Sequence, residues 1–248
     1  MRNSLEKVFS VLEVVASGDK PLTLKEISER TGHHPSTVSR ILADLAEIGY
    51  VRKESYREFS LDLGLVPLGQ KALSHFPLAR LANPLIAEAA GRLGCHGALV
   101  GLHRDRLVYL YRSTMQQGPG TLAEDFRYPL HRANSTMAIL SGWPEDEARR
   151  LLAASLATDE EGKEGGSASG PRIDELMARV ESTRREGYSA MLEGDSWNVA
   201  FPLRYRGRSF SVSLHGVNRG AEGVDRPVLE CSLLVRRIEA SLNATNVR

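Results

Sequence analysis

The stretch Thr23-Leu24-Lys25-Glu26-Ile27-Ser28-Glu29-Arg30-Thr31-Gly32-His33-His34-Pro35-Ser36-Thr37-Val38-Ser39-Arg40-Ile41-Leu42-Ala43-Asp44-Leu45-Ala46-Glu47-Ile48-Gly49 decides how the first part of the chain folds. Thr23-Leu24-Lys25-Glu26 is a T-x-x-E capping box, in which the threonine hydroxyl and the glutamate carboxylate satisfy amides of a helix's first turn. Gly32 closes that short helix where a left-handed residue is cheap. A second helix starts at once, because Pro35 fits a first helical position, and it runs to about Ile48 before Gly49. Val38, Ile41, Leu42, Leu45 and Ile48 form its apolar stripe, and Ser36, Thr37, Arg40, Asp44 and Glu47 face the other way.

Upstream, Leu5, Val8, Phe9, Leu12 and Val15 predict an amphipathic helix that stops at Gly18, buried along that face. Downstream, Tyr50-Val51-Arg52-Lys53, a polar turn Glu54-Ser55-Tyr56 and Arg57-Glu58-Phe59-Ser60-Leu61 predict a hairpin with basic residues near its tip. Short helix, tight turn, helix and basic hairpin is the order of a winged helix-turn-helix. Arg40 can form a bidentate pair with guanine, and Ser36, Thr37 and Ser39 reach bases or phosphates. Thr23, Arg52, Lys53 and Arg57 suit the flanking DNA backbone or minor groove. Residues 1–75 nonetheless carry ten Lys/Arg and ten Asp/Glu, so affinity depends on how charge is distributed and on dimerisation. A winged helix used for protein contacts is the bland alternative.

The whole chain has 248 residues and 32 Lys/Arg against 31 Asp/Glu, a formal net charge of +1. Global charge therefore advertises neither nucleic acid nor membrane. No uncharged apolar run approaches the roughly 18 residues of a spanning helix. No signal-peptide core follows the N-terminus, so a cytoplasmic protein without membrane association is expected. The length suits one or two domains.

Composition shifts near residue 75. Leu81, Leu85, Ile86, Ala89 and Leu93 share a helix face, and Pro84 means that this helix either begins there or kinks there. Two strands follow, Gly97 to Leu102 and Leu107 to Tyr111, around the charged turn His103-Arg104-Asp105-Arg106. Asp159 to Gly170 has no apolar residue larger than alanine and reads as a mobile surface loop.

The run from Ser4 to Leu68 resembles the N-terminal domain of IclR-type bacterial transcriptional regulators. The matching pieces are Ser4-Leu5-Glu6-Lys7, Leu22 to Ile27, Ser36 to Leu42, Leu45 to Val51, Phe59-Ser60-Leu61, Leu63-Gly64 and Leu68-Gly69. The similarity continues more weakly through Tyr128-Pro129-Leu130-His131, Ala138-Ile139-Leu140, Glu186-Gly187-Tyr188, Asn198 to Leu203 and Ser211 to Gly216. It implies an α+β protein: a winged helix-turn-helix over residues 1–69, linker helices over 70–93 and a GAF-like α/β effector-binding domain over 94–248. The sheet of that domain is expected to be mixed and mainly antiparallel.

Carried over by position, the resemblance puts Asn134, Ser135, Asn198, Ser213 and His215 at a small-molecule pocket. An acidic family position falls on Met191 or shifts to Glu193, and Trp197 sits beside the usual small polar residue. Arg132 to Met137 also departs from the family's small, glycine-containing stretch. These departures favour an apolar or aromatic acid over a two- or three-carbon oxo acid. The resemblance further implies double-stranded operator DNA as partner and a homodimer or homotetramer. It implies control of a catabolic or metabolic operon, with repression slightly favoured over activation.

No cofactor is expected. The seven histidines show no metal-ligand spacing. His131 reads as structural, His33 and His34 as loop and cap, and His215 equally as pocket or core. The two cysteines, Cys95 and Cys231, exclude a disulfide framework and read as small buried residues. S-x-x-K at Ser4–Lys7 and Ser17–Lys20, and Gly118-Pro119-Gly120, lack the context of catalytic or dinucleotide motifs. An enzyme is not expected. The competing readings are a metabolite-sensing module acting through a protein partner and, less favoured, a hydrolase using the C-terminal pocket.

Overall fold

The computed structural model describes residues 2–113, 128–159, 172–217 and 223–246. Gly118-Pro119-Gly120 and the segment from Glu160 to Gly170 lie outside the described residues. The chain divides into two compact units, Met1–His75 and Phe76–Arg248.

The first unit runs α1 (Arg2–Ala16), β1 (Leu22–Thr23), α2 (Leu24–Thr31), α3 (Pro35–Glu47), β2 (Val51–Lys53), β3 (Glu58–Leu61) and α4 (Val66–Ser74). The hairpin and β1 make a three-stranded sheet of order β1-β3-β2, with Val51 opposite Leu61 and Leu22 opposite Phe59. The capping box of α2 is complete. Glu26 N–H donates to the Thr23 hydroxyl at 3.2 Å, and Thr23 N–H donates to the Glu26 carboxylate at 2.7 Å. Gly32 ends that helix in the left-handed region at φ 68°, a conformation other residues adopt at a cost.

The core of this unit joins Val11, Val15, Leu22, Ile27, Val38, Leu42, Leu45 and Val51. Three residues of the expected apolar stripes lie outside it: Leu5, Phe9 and Ile48 are 63%, 56% and 60% exposed. On α1 the inward stripe is rotated to Val8, Val11, Leu12 and Val15. The 3.6-residue period admits either neighbour, and the position of α2 and β3 against α1 selects between them.

The second unit begins with α5 (Pro77–Leu93), then β4 (His96–His103) and β5 (Arg106–Arg112). After these come α6 (Asn134–Leu140), α7 (Glu145–Thr158), α8 (Ile173–Glu186), β6 (Ser189–Glu193), β7 (Ser196–Tyr205), β8 (Arg208–Val217) and α9 (Asp225–Asn246). The five strands form one sheet of order β5-β4-β8-β7-β6. Every described pairing in it is antiparallel, where a mixed sheet was expected. α5 begins at Pro77 and carries Pro84 inside it, so Pro84 does not start the helix.

One face of the sheet is covered by α5 and α9. Leu78, Ala82 and Ile86 of α5 and Cys231, Leu234 and Ile238 of α9 pack on Leu99, Leu203, Val212 and Leu214. Burying a side chain such as Ile86 contributes roughly 1.5–3 kcal/mol. α5 approaches closely because β4 offers a glycine there: a Cβ on Gly97 would sit 2.5 Å from Ile86 Cγ2. Ion pairs Arg92–Glu230 and Glu88–Arg237 join the two helices at the surface. α6 lies on the other face, buried along its whole length, and packs outward through Met137 and Leu140 onto Leu152 of α7 and Leu176 and Val180 of α8.

Asp159 departs from the surface-loop expectation. Its carboxylate is only 7% exposed and accepts from Arg132 at 2.8 Å and His131 Nε2 at 3.1 Å. His131 is 3% exposed, and its Nδ1 meets the Ser155 hydroxyl at 3.0 Å. This histidine ties the end of α7 to the entry of α6, a structural role. Burial lowers its pKa and the Asp159 carboxylate opposes that shift. Cys95 and Cys231 are buried free thiols. Desolvation pushes Cys95 up to about 11 and Cys231 higher still, so both pack as thiols.

Candidate functional site

Each unit presents one feature with functional chemistry, and the first is the outer face of α3. His34 caps this helix: its Nδ1 accepts from Ser36 N–H at 3.3 Å and lies 2.8 Å from the Ser36 hydroxyl. Pro35 follows at the first position. Val38, Ile41, Leu42 and Leu45 are buried, which turns Ser36, Ser39 and Arg40 outward and leaves Thr37 half-buried. Asp44 and Glu47 are also exposed, in the C-terminal half. The N-terminal half therefore carries the hydroxyls and the guanidinium, and the acidic residues sit one to two turns away.

The hairpin adds cations of two kinds. Arg52 Nε donates to Glu54 at 3.0 Å, and Glu54 also accepts from the Ser60 hydroxyl at 2.6 Å. Those bonds hold the Glu54 carboxyl below its ordinary range and raise Arg52, so the charge of Arg52 is balanced within the hairpin. Lys53 and Arg57 instead flank Tyr56, with Nζ and Cζ at 5.2 and 5.9 Å from the ring centroid. Tyr56 is 84% exposed at the hairpin tip. Its position between two cations in a polar turn was the available signal, and the sequence reading did not use it. Thr23 is committed to the α2 cap, where its hydroxyl also donates to Glu26 at 2.7 Å.

The second feature is a cavity of about 430 Å³ on the α6 side of the large sheet. Its floor follows from strand register. Met191 lies opposite Asn198, Asn198 opposite His215, and His215 opposite His96, which makes one row across β6, β7, β8 and β4. Opposed residues project from the same face. Ser213 opposite Ala98, and Ala98 opposite Arg112, continue the floor onto β5. A bulge between Leu99 and Val100 shifts the register, so that Tyr109 pairs with Val100. That shift brings Tyr109 onto the face of Arg112, whose guanidinium lies 5.3 Å from the Tyr109 ring centroid.

All eight positions named from the resemblance line this one cavity: Asn134, Ser135, Met191, Glu193, Trp197, Asn198, Ser213 and His215. Both alternatives for the acidic position, Met191 and Glu193, are there. His215 is pocket and not core: it is exposed on the cavity side, and burial, His96 and Arg112 lower its pKa in that order. The sequence reading missed His96, Tyr109, Arg112, Tyr128, Arg132 and Ser196, which line the cavity as well, with Gly97, Ala98 and Ala133.

Two of the eight make different contacts from those expected. Trp197 packs its indole on the opposite face, where a Cβ on Gly216 would lie 2.6 Å from Trp197 Cζ2, and it belongs to the α5–α9 core. The aromatic character of the cavity comes instead from Tyr109 and Tyr128. Asn134 is 3% exposed and acts as a latch. Its Nδ2 donates to Ser189 O at 2.9 Å, Asn198 O at 3.0 Å and Asn198 Oδ1 at 3.1 Å, and its Oδ1 accepts from the Ser189 hydroxyl. The start of α6 is thereby fixed to β6 and β7. Ser213, Asn198, His215 and the two arginines remain as polar groups lining a partly aromatic space. Among the described residues no group of three or more His, Cys, Asp or Glu could hold a metal. No described helix is long and apolar enough to cross a membrane.

Residues 4–55 match the IclR helix-turn-helix domain. Among curated proteins the chain is similar to the HTH-type transcriptional regulator KdgR of Dickeya chrysanthemi, 27% identical over 188 residues. That match covers 75% of this chain and 60% of the length of KdgR. It is also similar to the Pca regulon regulatory protein of Pseudomonas putida, 24% identical over 81% of this chain and 68% of that protein. Among solved structures, an IclR family transcriptional regulator from Brucella abortus superposes with a TM-score of 0.78 at 23% identity, over 96% of this chain and 92% of that one. An IclR homolog from Microbacterium hydrocarbonoxydans, complexed with 4-hydroxybenzoate, superposes at 0.70 and 22% identity, over 97% and 99%.

Proposed function

We propose that the chain, which matches the IclR helix-turn-helix domain over residues 4–55 and shares the fold of a solved IclR family regulator, is itself a ligand-responsive, DNA-binding transcriptional regulator of that type. The observation that carries this reading is the outer face of α3, with Ser36, Ser39 and Arg40 exposed, in a unit that also has a cationic hairpin tip. Arg40 reads a base in the major groove, Ser36, Thr37 and Ser39 contact bases or phosphates, and Lys53 and Arg57 contact the flanking backbone. Arg52 contributes less, since Glu54 balances it. The protein works in the cytoplasm as a homodimer or homotetramer, because two-fold assemblies match two-fold operators. It controls a catabolic or metabolic operon, more as a repressor than as an activator.

The effector occupies the cavity of the second unit. A volume of about 430 Å³ exceeds the need of a two- or three-carbon acid. Tyr109 and Tyr128 supply apolar ring surface, and Arg112 favours an anion. An organic acid with an apolar or aromatic body fits this lining, and the Microbacterium homolog is complexed with one such acid, 4-hydroxybenzoate. Ligand shifts DNA affinity only through its differential affinity for two arrangements of the protein.

The test is a gel shift on the gene's upstream DNA with a panel of aromatic and aliphatic acids. Some acid is expected to change the shift, and Ser213→Ala with His215→Ala to blunt that change while leaving the ligand-free shift intact. Equal responses in mutant and wild type would move the effector site elsewhere. One observation favours a second reading. The first unit balances ten cations with ten anions, which suits a metabolite-sensing module that docks on a protein partner and does not bind DNA.

A further inference from the structure

The floor of the cavity carries two imidazoles side by side. His96 on β4 and His215 on β8 are directly opposed, and their rings stack with centroids 6.0 Å apart and planes 24° from parallel. Arg112 follows on β5, opposite Ala98. Groups able to carry positive charge thus occupy three adjacent strands, β5, β4 and β8, at one side of the sheet. The carboxylate of the lining, Glu193, ends β6 at the opposite edge. Such a cavity is polarised along the sheet, with one corner built for an anion.

We infer that His96, His215 and Arg112 form the acid-binding corner of this cavity, and that the corner takes up one proton together with its anionic ligand. The inference rests on the reading of the cavity as the effector site. Two stacked imidazoles beside a guanidinium do not all hold positive charge, because like charges so close repel. Burial first, and then His96 and Arg112, lower the His215 pKa and so disfavour its charged form. A carboxylate placed among them reverses the balance, since an opposite charge within about 4–6 Å favours the protonated imidazole.

The added proton belongs to the pair and not to one ring. Among the described residues, the other titratable and charged groups that line the cavity are Tyr109 on β5, Tyr128 and Arg132 from the segment before α6, and Glu193 on β6. Arg132 is paired with Asp159 at 2.8 Å, which offsets its charge. Glu193 acts in the same direction as the ligand, toward protonation.

The consequence is a pH-dependent affinity of definite sign. A site that binds one proton with its ligand gains about tenfold in affinity for each unit that pH falls, between the pair's free and bound titration ranges. The experiment follows histidine ring signals and the Met191 methyl by NMR in the full chain, from about pH 6 to about pH 8. Benzoate, 4-hydroxybenzoate and uncharged benzamide are the probes. The acids are expected to shift Met191 and raise the titration midpoint of His215, with the tenfold slope; benzamide shows no slope. His215→Asn and His96→Asn each remove the slope and weaken binding of the acids most at the low-pH end. Acid-induced shifts at Met191 with both imidazoles unmoved would overturn the inference and leave the cavity as a ligand site. No shift at Met191 with any probe would overturn the cavity reading together with it.

Discussion

The face of α3 and the cavity over the large sheet are both polar surfaces, but they are made in opposite ways. The α3 face comes from 13 consecutive residues, and the burial of Val38, Ile41, Leu42 and Leu45 alone decides which side chains point out. The cavity gathers residues from His96 to His215, on five strands and the entry of α6. In its central row Met191 and Asn198 are seven residues apart across a tight turn, but Asn198 and His215 are 17 apart and His215 and His96 are 119 apart. A helix face is fixed by a period that one segment contains. A sheet face is fixed by register, which only the assembled strands contain.

That contrast sets how each region fails. Asn134→Ala strikes the assembled site hardest. It leaves the Ser189 hydroxyl and the Asn198 carbonyl without their buried partner, at a cost of about 1–3 kcal/mol per unsatisfied group. Denaturant unfolding of the second unit should shift accordingly, while DNA retention without ligand survives; an unchanged midpoint would show that α6 is held by its apolar contacts alone.

Arg40→Ala is expected to leave stability unchanged and to reduce sequence preference by about 1–3 kcal/mol, read as the ratio of operator to random-DNA affinity. An unaltered ratio removes Arg40 from base reading and gives it a backbone role at most.

Thr23→Ala is the smallest effect, about 1 kcal/mol of stability in the first unit. Its pH dependence has a definite sign. The Thr23 amide and hydroxyl hold the Glu26 carboxyl below its ordinary value of 4.5. Stabilisation from the box is therefore complete above that value and is lost as pH falls through the lowered one. The difference between wild type and Thr23→Ala in thermal unfolding should narrow in acid, and a constant difference would assign the cap to the hydroxyl bond alone.

The same contrast explains what was legible in the sequence. Capping signals are local, so Thr23-Leu24-Lys25-Glu26, Gly32 and Pro35 placed α2 and α3 closely. Amphipathic stripes are less decisive: Leu5, Phe9 and Ile48 satisfy the helical period, yet face outward because no neighbouring element covers them within the unit. In the second unit, eight cavity positions came through resemblance and not through the residues' own chemistry. His96, Tyr109 and Arg112 were invisible because alternation along β4 and β5 gives no partner strand, and the bulge at Leu99 and Val100 moves Tyr109 to the face its spacing from Arg112 denies it. Trp197 lines the cavity but turns its indole into the α5–α9 core for a related reason. Its neighbour Asn198 faces the cavity, so the indole is forced to the other side, into the gap left by Gly216.

The central claim is that the first unit reads DNA, and salt tests it most directly. The purified full chain is challenged with labelled DNA from upstream of its own gene, with unrelated DNA as competitor, over a range of salt concentrations. Phosphate neutralisation by Z cations makes log affinity fall with log salt at a slope of about −0.9Z. The account predicts retention that resists competitor and declines steeply with salt, with a slope reduced by about one when Lys53 or Arg57 is replaced by alanine. Retention that is weak, insensitive to salt and abolished by random DNA would contradict it, and would assign the winged helix to a protein partner.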